Sequence, residues 1–339
     1  MKNNINNSQW GLLFLSMLFL FFSCKEEKKK ETTTTTEKPV VNVNLPVFNA
    51  DSAYEYVAAQ VRFGPRVPNT PAHRKCGDYL VAKLNQAGAK VYEQEFQARA
   101  FNGNNLNLRN IIAEFNPDAS KRIIIAAHWD TRPFADQDTI NKNKPIDGAN
   151  DGGSGVGVIL ELARVLKDHH KDLPFGIDFI LFDGEDYGRP SDYEGEGGAD
   201  TWCLGSQYWS KNKHKSNYAA YYGILLDMVG AKNAKFAMEG TSRYYAPSVV
   251  NKVWGIANSL GYSKHFIYEH SPDIIDDHLY VNRIAKIPMI DIIEYDMSDN
   301  NYFGSYWHTH DDNMDVIDKS TLKAVGHTLI AVLYNEKNQ

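Results

Sequence analysis

The sequence of 339 residues has few of the features that mark several common classes of protein. It contains only three cysteines, Cys24, Cys76 and Cys203, and no Cys-x-x-Cys pair, which argues against a disulfide scaffold, a zinc ribbon and a dithiol redox centre. Lys and Arg total 36 against 42 Asp and Glu, and no basic cluster occurs outside residues 25–38. A nucleic-acid-binding surface is therefore not expected.

Internal repeats and Pro/Gly-rich linkers are also lacking after residue 45. With 43% of its residues hydrophobic and 23% charged, the chain can bury a sizeable core. We therefore expect one domain over residues 45–339. Within it, Cys76 and Cys203 could pair in an oxidising compartment, but two buried thiols are the favoured interpretation.

The apolar run near the N-terminus, residues 12–22, is shorter than the roughly 20 residues that a membrane-spanning helix needs. It ends at Ser23 followed by Cys24, as a bacterial lipoprotein signal peptide does at its cleavage and lipidation site. We predict a signal peptide over residues 1–23 with lipidation at Cys24, the alternative being an uncleaved anchor. Either interpretation predicts an exported, membrane-tethered protein.

Residues 25–38, KEEKKKETTTTTEK, contain no apolar side chain and are typical of a solvated tether. We predict a lipidated, disordered segment over residues 24–44, with membrane contact through the lipid only. The charges directly after Cys24 resemble a signal that sorts lipoproteins to the outer face of the outer membrane, although solubility alone would explain them. The expected location is the cell envelope, lipid-anchored to the outer membrane on its periplasmic or exposed side.

A regular hydrophobic pattern begins near residue 45. Helical spacing occurs at 50–63, 74–88 and 155–167, with Gly88 as a helix-ending residue. Short apolar runs typical of strands occur at 91–96, 110–115, 123–127, 177–182, 224–226 and 289–293. Continuous apolar strands that alternate with amphipathic helices predict an α/β domain with a mixed, mostly parallel central sheet covered on both faces.

Polar clusters follow three of these strands, where functional groups gather in open α/β sheets. The clusters are 128–130, 183–186 and Asp227, and two more lie in loops at 148–155 and 307–312. Their residue types are His, Asp and Glu without Cys. This donor set is suited to a zinc ion that is held by nitrogen and oxygen and keeps one position open for chemistry.

Two spacings within these clusters suggest roles. His128 and Asp130 have the spacing of a metal ligand and the carboxylate that orients it. Glu185 and Asp186 are adjacent, so on an extended backbone they point to opposite sides. One of the two can therefore bind a metal while the other faces the substrate as an acid/base group.

Five segments, AHWD, GANDGGSG, FDGED, LLDMVG and WHTHDDN, resemble in order and spacing the motifs of the zinc aminopeptidase-like superfamily, whose fold is phosphorylase/hydrolase-like. Within that superfamily they are most similar to the animal-type glutaminyl-peptide cyclotransferases, or glutaminyl cyclases. Trp307 directly before His308, and the segment IDDH at 275–278, favour this branch. The resemblance extends over residues 50–335.

This resemblance implies a role for each matching residue. One zinc ion per chain would be bound by Asp151, Asp186 and His308. Glu185 would be the general acid/base, Asp227 and Asp276 would complete a carboxylate network, and Trp307 and Trp202 would line the substrate pocket. Asp186 stands where the family usually has Glu, so its carboxylate reaches one methylene less far.

The implied reaction is the cyclisation of an N-terminal glutamine of a peptide or protein to pyroglutamate, with release of ammonia. Two alternatives stay open. A zinc aminopeptidase would use a second metal, for which His128 and Asp227 are available ligands and Asp151 a possible bridge. A surface receptor or adhesin on the same fold would need no catalysis, but such a protein would be expected to have lost some of these acids.

Overall fold

The computed structural model describes residues 45–190, 193–195, 200–298 and 301–337. These residues belong to one compact unit. The predicted signal peptide, the lipidation site Cys24 and the tether at 24–44 lie outside the described residues. Among the helices of the described ranges, none combines the length and the apolar composition needed to cross a membrane.

A six-stranded sheet forms the centre of the described part. In chain order the strands of the described ranges, including two outside this sheet, are β1 (Lys90–Arg99), β2 (Asn105–Phe115), β3 (Arg122–His128), β4 (Gly176–Phe182), β5 (Tyr222–Asp227), β6 (Phe236–Met238), β7 (Phe266–His270) and β8 (Met289–Ile293). The central sheet has the order β1-β2-β4-β3-β5-β8, and β6 pairs with β7 in a separate parallel ribbon. Strands β4, β3, β5 and β8 run parallel, whereas β1 and β2 are antiparallel to their neighbours. The predicted mixed, mostly parallel sheet is confirmed.

The four parallel strands are buried along their whole length. This explains why they have continuous apolar sequences and not alternating ones, since helices cover both faces of a parallel sheet. In the shared register Ile125 lies opposite Phe179 on one side and Ile224 on the other. Their carboxyl ends therefore meet at one edge, where His128 and Asp227 are the last residues of β3 and β5.

Eight α-helices within the described ranges cover the sheet. They are α1 (Ala50–Val61), α2 (Pro71–Gln86), α3 (Gly153–His169), α4 (Leu204–Lys211), α5 (Gly240–Tyr245), α6 (Pro247–Ser259), α7 (Asp277–Tyr280) and α8 (Lys319–Glu336). Helices α1, α2, α3, α6 and α8 share the apolar core on one face of the sheet, and α4 and α7 lie on the other face. Alternate residues of each strand point to opposite faces of the sheet: Ile125 belongs to the core on the first face and Ile124 to the core on the second.

Glycines in the first turn of helix α3 allow a close approach to the sheet. Gly152, which precedes the helix, has φ +81°, and a Cβ on Gly155 would lie 2.4 Å from the carbonyl oxygen of Leu226. Neither position accepts a larger residue without a shift of the backbone. The segment GANDGGSG thus brings Asp151 to the carboxyl edge of β3 and β5.

Candidate active site

The predicted site residues converge on this edge of the sheet. A cavity of about 140 Å³ opens there between the loops that follow the parallel strands. It is lined by Asp151, Glu185, Trp202, Asp227, Met228, Ile274, Ile275, Asp276, Ile293, Phe303, Trp307 and His308. Three more predicted residues, His128, Asp130 and Asp186, are buried directly behind this lining.

Asp151, Asp186 and His308 form a buried group that fits a metal ion. Their donor atoms all lie within 4.8 Å of one another. His308 Nε2 is 3.4 Å from Asp186 Oδ1 and 3.7 Å from Asp151 Oδ2. Ligands at 2.0–2.2 Å from a tetrahedral zinc are separated by about 3.3–3.6 Å. Asp186 Oδ2 is buried and has no hydrogen-bond partner among the described residues, as expected of an atom that binds a cation.

The electrostatics of this group also favour a cation. Burial and the neighbouring charge of Asp151 raise the pKa of Asp186 to about 6, against the influence of His308 and Arg132. Burial also acts to raise the pKa of Asp151, but the hydrogen bond and charge of His128 and the charge of His308 lower it overall. Two buried carboxylates so close together repel each other unless a proton or a metal lies between them.

A second group shares Asp151. His128 Nε2 is 3.0 Å from Asp151 Oδ1 and 3.2 Å from Asp227 Oδ1, and these three residues also meet the distance requirement for a metal site. The separations are those of direct hydrogen bonds. His128 hydrogen-bonds to Asp227 and lies in ion-pair contact with Asp151, while the His308 group is spaced more widely.

Asp130 contacts the backbone of the acid pair as well as the ring of His128. Its Oδ1 accepts the backbone N–H of Glu185 at 3.0 Å, and its Oδ2 accepts that of Asp186 at 3.2 Å. The distance from His128 Nδ1 to Asp130 Oδ1 is longer, at 3.7 Å. Asp130 thus mainly fixes the backbone of the acid pair.

Glu185 and Asp186 point to different places, as their adjacency predicts. Asp186 joins the His308 group, whereas Glu185 lines the cavity together with Asp276 and has Cys203 close by. Burial raises the pKa of Glu185 well above its ordinary value; the charge of His128 opposes this, and those of Asp276 and Asp186 reinforce it. A carboxyl group with a raised pKa can both accept and donate a proton near neutral pH.

Asp227 and Asp276 bring two further acids to the cavity. Burial raises the pKa of Asp227 to about 7, although its hydrogen bond to His128 opposes the shift. Asp276 caps the start of α7, and its Oδ2 is buried without a hydrogen-bond partner in the described part of the chain. With Asp151 and Glu185, four carboxyl groups therefore line a cavity that would hold one small side chain.

Aromatic rings form the walls of the cavity. The ring of Trp307 stacks on that of His308 with centroids 3.7 Å apart, and Trp202 lies parallel to His308 at 5.9 Å. Phe303 packs against Trp307 at 5.1 Å. His308, on whose ring both indoles stack, has φ +56°, an uncommon conformation for a residue with a side chain.

Sequence reasoning missed several buried residues that hold the loops in place. Asp312 accepts the backbone N–H groups of Asn150 and Asp151 at 2.7 and 3.1 Å. Glu239 accepts those of Thr241, Ser242 and Ile274 and lies 3.1 Å from His278 Nε2, which secures the loop before Asp276. Asp312 belongs to the segment WHTHDDN, whereas no motif or spacing in the sequence indicates Glu239.

Asp291 is a further missed acid. It lies inside β8, and neither of its carboxylate oxygens has a hydrogen-bond partner among the described residues. Together with Asp276 and His278 it forms another buried group of donors within 4.8 Å. An acid within an otherwise apolar strand was the signal available in the sequence.

The two cysteines of the described ranges, Cys76 and Cys203, are free and buried. Burial raises the pKa of both thiols, that of Cys76 to about 12. The expected pair of buried thiols is therefore observed. Cys203 also lies beside Glu185 in the site, which its sequence neighbours did not indicate.

Comparisons with known proteins show the family and the fold of this chain. The family model of peptidase family M28 matches residues 110–333. The crystal structure of Tannerella forsythia glutaminyl cyclase is 54% identical, with a TM-score of 0.83, and the match covers 86% of this chain and 100% of that one. The structure of a leucine aminopeptidase precursor from Bacteroides thetaiotaomicron VPI-5482 is 53% identical, with a TM-score of 0.83 and coverage of 88% and 100%. Glutaminyl-peptide cyclotransferase of Drosophila melanogaster is 26% identical over 278 residues, 76% of this chain and 73% of that protein.

Proposed function

Because the chain belongs to peptidase family M28, we propose that this site performs the reaction after which its glutaminyl cyclase relatives are named. The substrate is a peptide or protein with an N-terminal glutamine. Its α-amine attacks its own side-chain carboxamide, and the products are pyroglutamate and ammonia. Nucleophile and electrophile belong to one residue, so the enzyme has to orient them and move protons.

One observation carries this proposal above all others. Glu185 faces a cavity of about 140 Å³ that aromatic rings enclose, together with Asp227 and Asp276. A narrow apolar slot of this kind holds a flexible glutamine side chain in a folded conformation, which brings the amine close to the carboxamide. The acids at its base are positioned to accept hydrogen bonds from the amine and from the amide nitrogen.

Glu185 moves the proton. In its ionised form it accepts a proton from the attacking amine, and the resulting carboxylic acid donates that proton to the nitrogen that leaves as ammonia. Its raised pKa suits both steps. Asp227 and Asp276 also line the cavity and orient the amine.

Zinc is the proposed cofactor, with Asp151, Asp186 and His308 as its ligands and one ion per chain. The orphaned Asp186 Oδ2 and the spacing of the donor atoms support this assignment. When bound, zinc would act as a Lewis acid that polarises the carboxamide. Trp307 and Trp202 flank His308 and restrict access of water to the ligands.

Ammonia release from a peptide with N-terminal glutamine tests the proposal. Protein lacking residues 1–38 should release ammonia in proportion to peptide consumed and leave a product with a blocked N-terminus. A peptide that begins with leucine, assayed in parallel, should stay intact. Release of free leucine without ammonia formation from the glutamine peptide would assign the site to an aminopeptidase.

The aminopeptidase alternative has its own supporting observation. His128, Asp151 and Asp227 also bring three donor atoms within 4.8 Å, so a second metal has ligands available. Metal analysis of purified protein should give about one zinc per chain for the cyclase, whereas two would support the hydrolase.

We also propose that residues 1–44 anchor this catalytic domain, which covers residues 45–339, to the outer membrane. The support is in the sequence: the short apolar run at 12–22, the Ser23-Cys24 junction and the polar tether. Wild-type protein expressed in a Gram-negative host should incorporate labelled fatty acid and sediment with membranes. Cys24→Ala should abolish the labelling, and labelling that persists would disprove lipidation at this residue.

A further inference from the structure

Arg132 lies behind the active site and contacts three of its parts at once. Its side chain is fully buried, with 0% exposure. It contacts Asp186, Asp136 and the ring of Trp202. Resting on the proposed function, we propose that Arg132 is a positioning residue that couples the metal ligands to the wall of the substrate pocket, so that one side chain sets both zinc affinity and substrate binding.

The first contact is with the ligand that departs from the family pattern. Arg132 Nη1 donates to the backbone carbonyl of Asp186 at 3.0 Å and lies 3.4 Å from its Oδ1. The same nitrogen donates to the carbonyl of Gly188 at 3.3 Å. Arg132 thus holds the backbone after β4 as well as the carboxylate. A shorter ligand side chain depends on such backbone placement, since it has fewer rotatable bonds with which to adjust.

The second contact reaches the histidine ligand through Asp136. Arg132 Nη2 donates to Asp136 Oδ2 at 2.9 Å, and Asp136 Oδ1 lies 3.3 Å from His308 Nδ1. A carboxylate at the far nitrogen of a histidine fixes the tautomer and the ring orientation. On the other side of the ring, Nε2 of His308 faces Asp151 and Asp186. The guanidinium holds the carboxylate in place.

The third contact is with the pocket wall. The guanidinium carbon lies 4.6 Å from the centroid of the Trp202 ring, and Trp202 lines the cavity. A buried cation over an indole ring is an attractive contact. A Cβ on Gly188 would lie 1.8 Å from a Trp202 ring atom, so the backbone that Arg132 holds also limits where the indole can lie.

Arginine is required for these contacts because they use separate donors of one planar group. Lysine keeps the charge but offers a single compact ammonium group, which cannot bond to Asp186 and Asp136 and stack on Trp202 together. Arg132→Lys is therefore an informative variant. Arg122→Lys is a matched control, since Arg122 is also buried and bonds to Asp178 at the opposite end of β3.

The test measures zinc affinity by chelator competition, independently of catalysis, and KM and kcat for a glutamine peptide at saturating zinc. Arg132→Lys should weaken zinc binding by about 10–100-fold and raise KM several-fold. Arg122→Lys should lower the melting temperature with little effect on either quantity. Zinc affinity and KM of Arg132→Lys that both stay within twofold of wild type would overturn the proposal.

Two further variants test the Asp136 contact and the Trp202 contact separately. They also replace Arg132→Lys if that variant does not fold. Asp136→Asn should weaken zinc binding with little change in KM, and Trp202→Leu should raise KM with little change in zinc binding. If each variant weakened zinc binding and also raised KM, the cause would be general disruption of the site, and the proposal that Arg132 joins two separable contacts would be contradicted. If wild type releases no ammonia, the proposed function fails. The zinc affinities of these variants would still decide whether Arg132 positions the metal ligands.

Discussion

The thiol of Cys203 lies 3.2 Å from Oε1 of Glu185, and the backbone N–H of Cys203 donates to the carbonyl oxygen of Glu185 at 3.0 Å. Cys203 has φ +58°, in the left-handed region, which turns its side chain towards the acid. The residue thus supports the proposed acid/base group from both its backbone and its side chain.

Cys203→Ala should therefore lower kcat about fivefold with KM little changed, because the loss of one weak hydrogen bond is worth about 1 kcal/mol. Cys203→Ser should restore most of the activity, since a hydroxyl also donates. Cys76→Ala is the matched control: its thiol is equally buried but lies in the hydrophobic core, so stability should fall and kcat should not. Equal kcat for all three variants would remove any role of the thiol in orienting Glu185.

Asp130 accepts the backbone N–H groups of Glu185 and Asp186. Asp130→Asn should therefore disturb the placement of this acid pair. The amide keeps one acceptor oxygen, but its NH2 group would face one of the two backbone N–H groups that Asp130 now accepts. We expect zinc affinity to fall by about 10–100-fold, measured by chelator competition. Asp178→Asn alters a buried acid at the opposite end of the sheet and should leave zinc affinity intact. An unchanged affinity in Asp130→Asn would show that other contacts suffice to hold the pair.

Glu185 and Asp186 should give opposite results when each is changed to its amide. Glu185→Gln should keep zinc and lose at least about 100-fold in kcat, because proton transfer is removed. Asp186→Asn, in contrast, should lose zinc, because a neutral amide replaces an anionic ligand. Both variants are examined by metal analysis alongside ammonia release. Loss of zinc from Glu185→Gln would mean that the two roles are exchanged.

The central sheet could be predicted because its strands are buried on both faces. Each of its six strands contains one of the predicted apolar runs, and β8 has the predicted bounds. Helix α8 was missed for a related reason: 13 of its 18 residues are buried, so its apolar residues do not form one stripe. The pair β6 and β7 has only three and five residues, which is too short for a clear period.

Within the site, residues at strand ends were predictable and the residues that support them were not. The positions of His128, Glu185 and Asp227 follow from the rule that functional groups gather where parallel strands end. Arg132 and Asp312 act through contacts with backbone groups that are distant in sequence; Asn150 and Asp312, for example, are 162 positions apart. A single sequence contains no periodicity or spacing that reports such pairs.

Acid stability should depend on Glu114, a buried residue of β2. Its Oε1 lies 3.1 Å from His214 Nε2 and 2.6 Å from Lys215 Nζ. Burial acts to raise its pKa, but the bonds from these two residues lower it from the ordinary value of 4.5 to about 2. A lowered pKa in the folded state means that the ionised group stabilises the fold above the unfolded value, and that this contribution disappears as the pH falls from about 4.5 to about 2.

Glu114→Gln should therefore lower the melting temperature at pH 7, and the difference from wild type should shrink between about pH 4.5 and pH 2. Both proteins are measured after removal of metal by a chelator, so that metal loss at low pH does not contribute. Glu93→Gln is the control, because Glu93 is 41% exposed in its ion pair with Arg109 and such pairs contribute little. A difference between Glu114→Gln and wild type that stays constant from pH 7 to pH 3 would mean that ionisation of Glu114 is not what stabilises this part of the sheet.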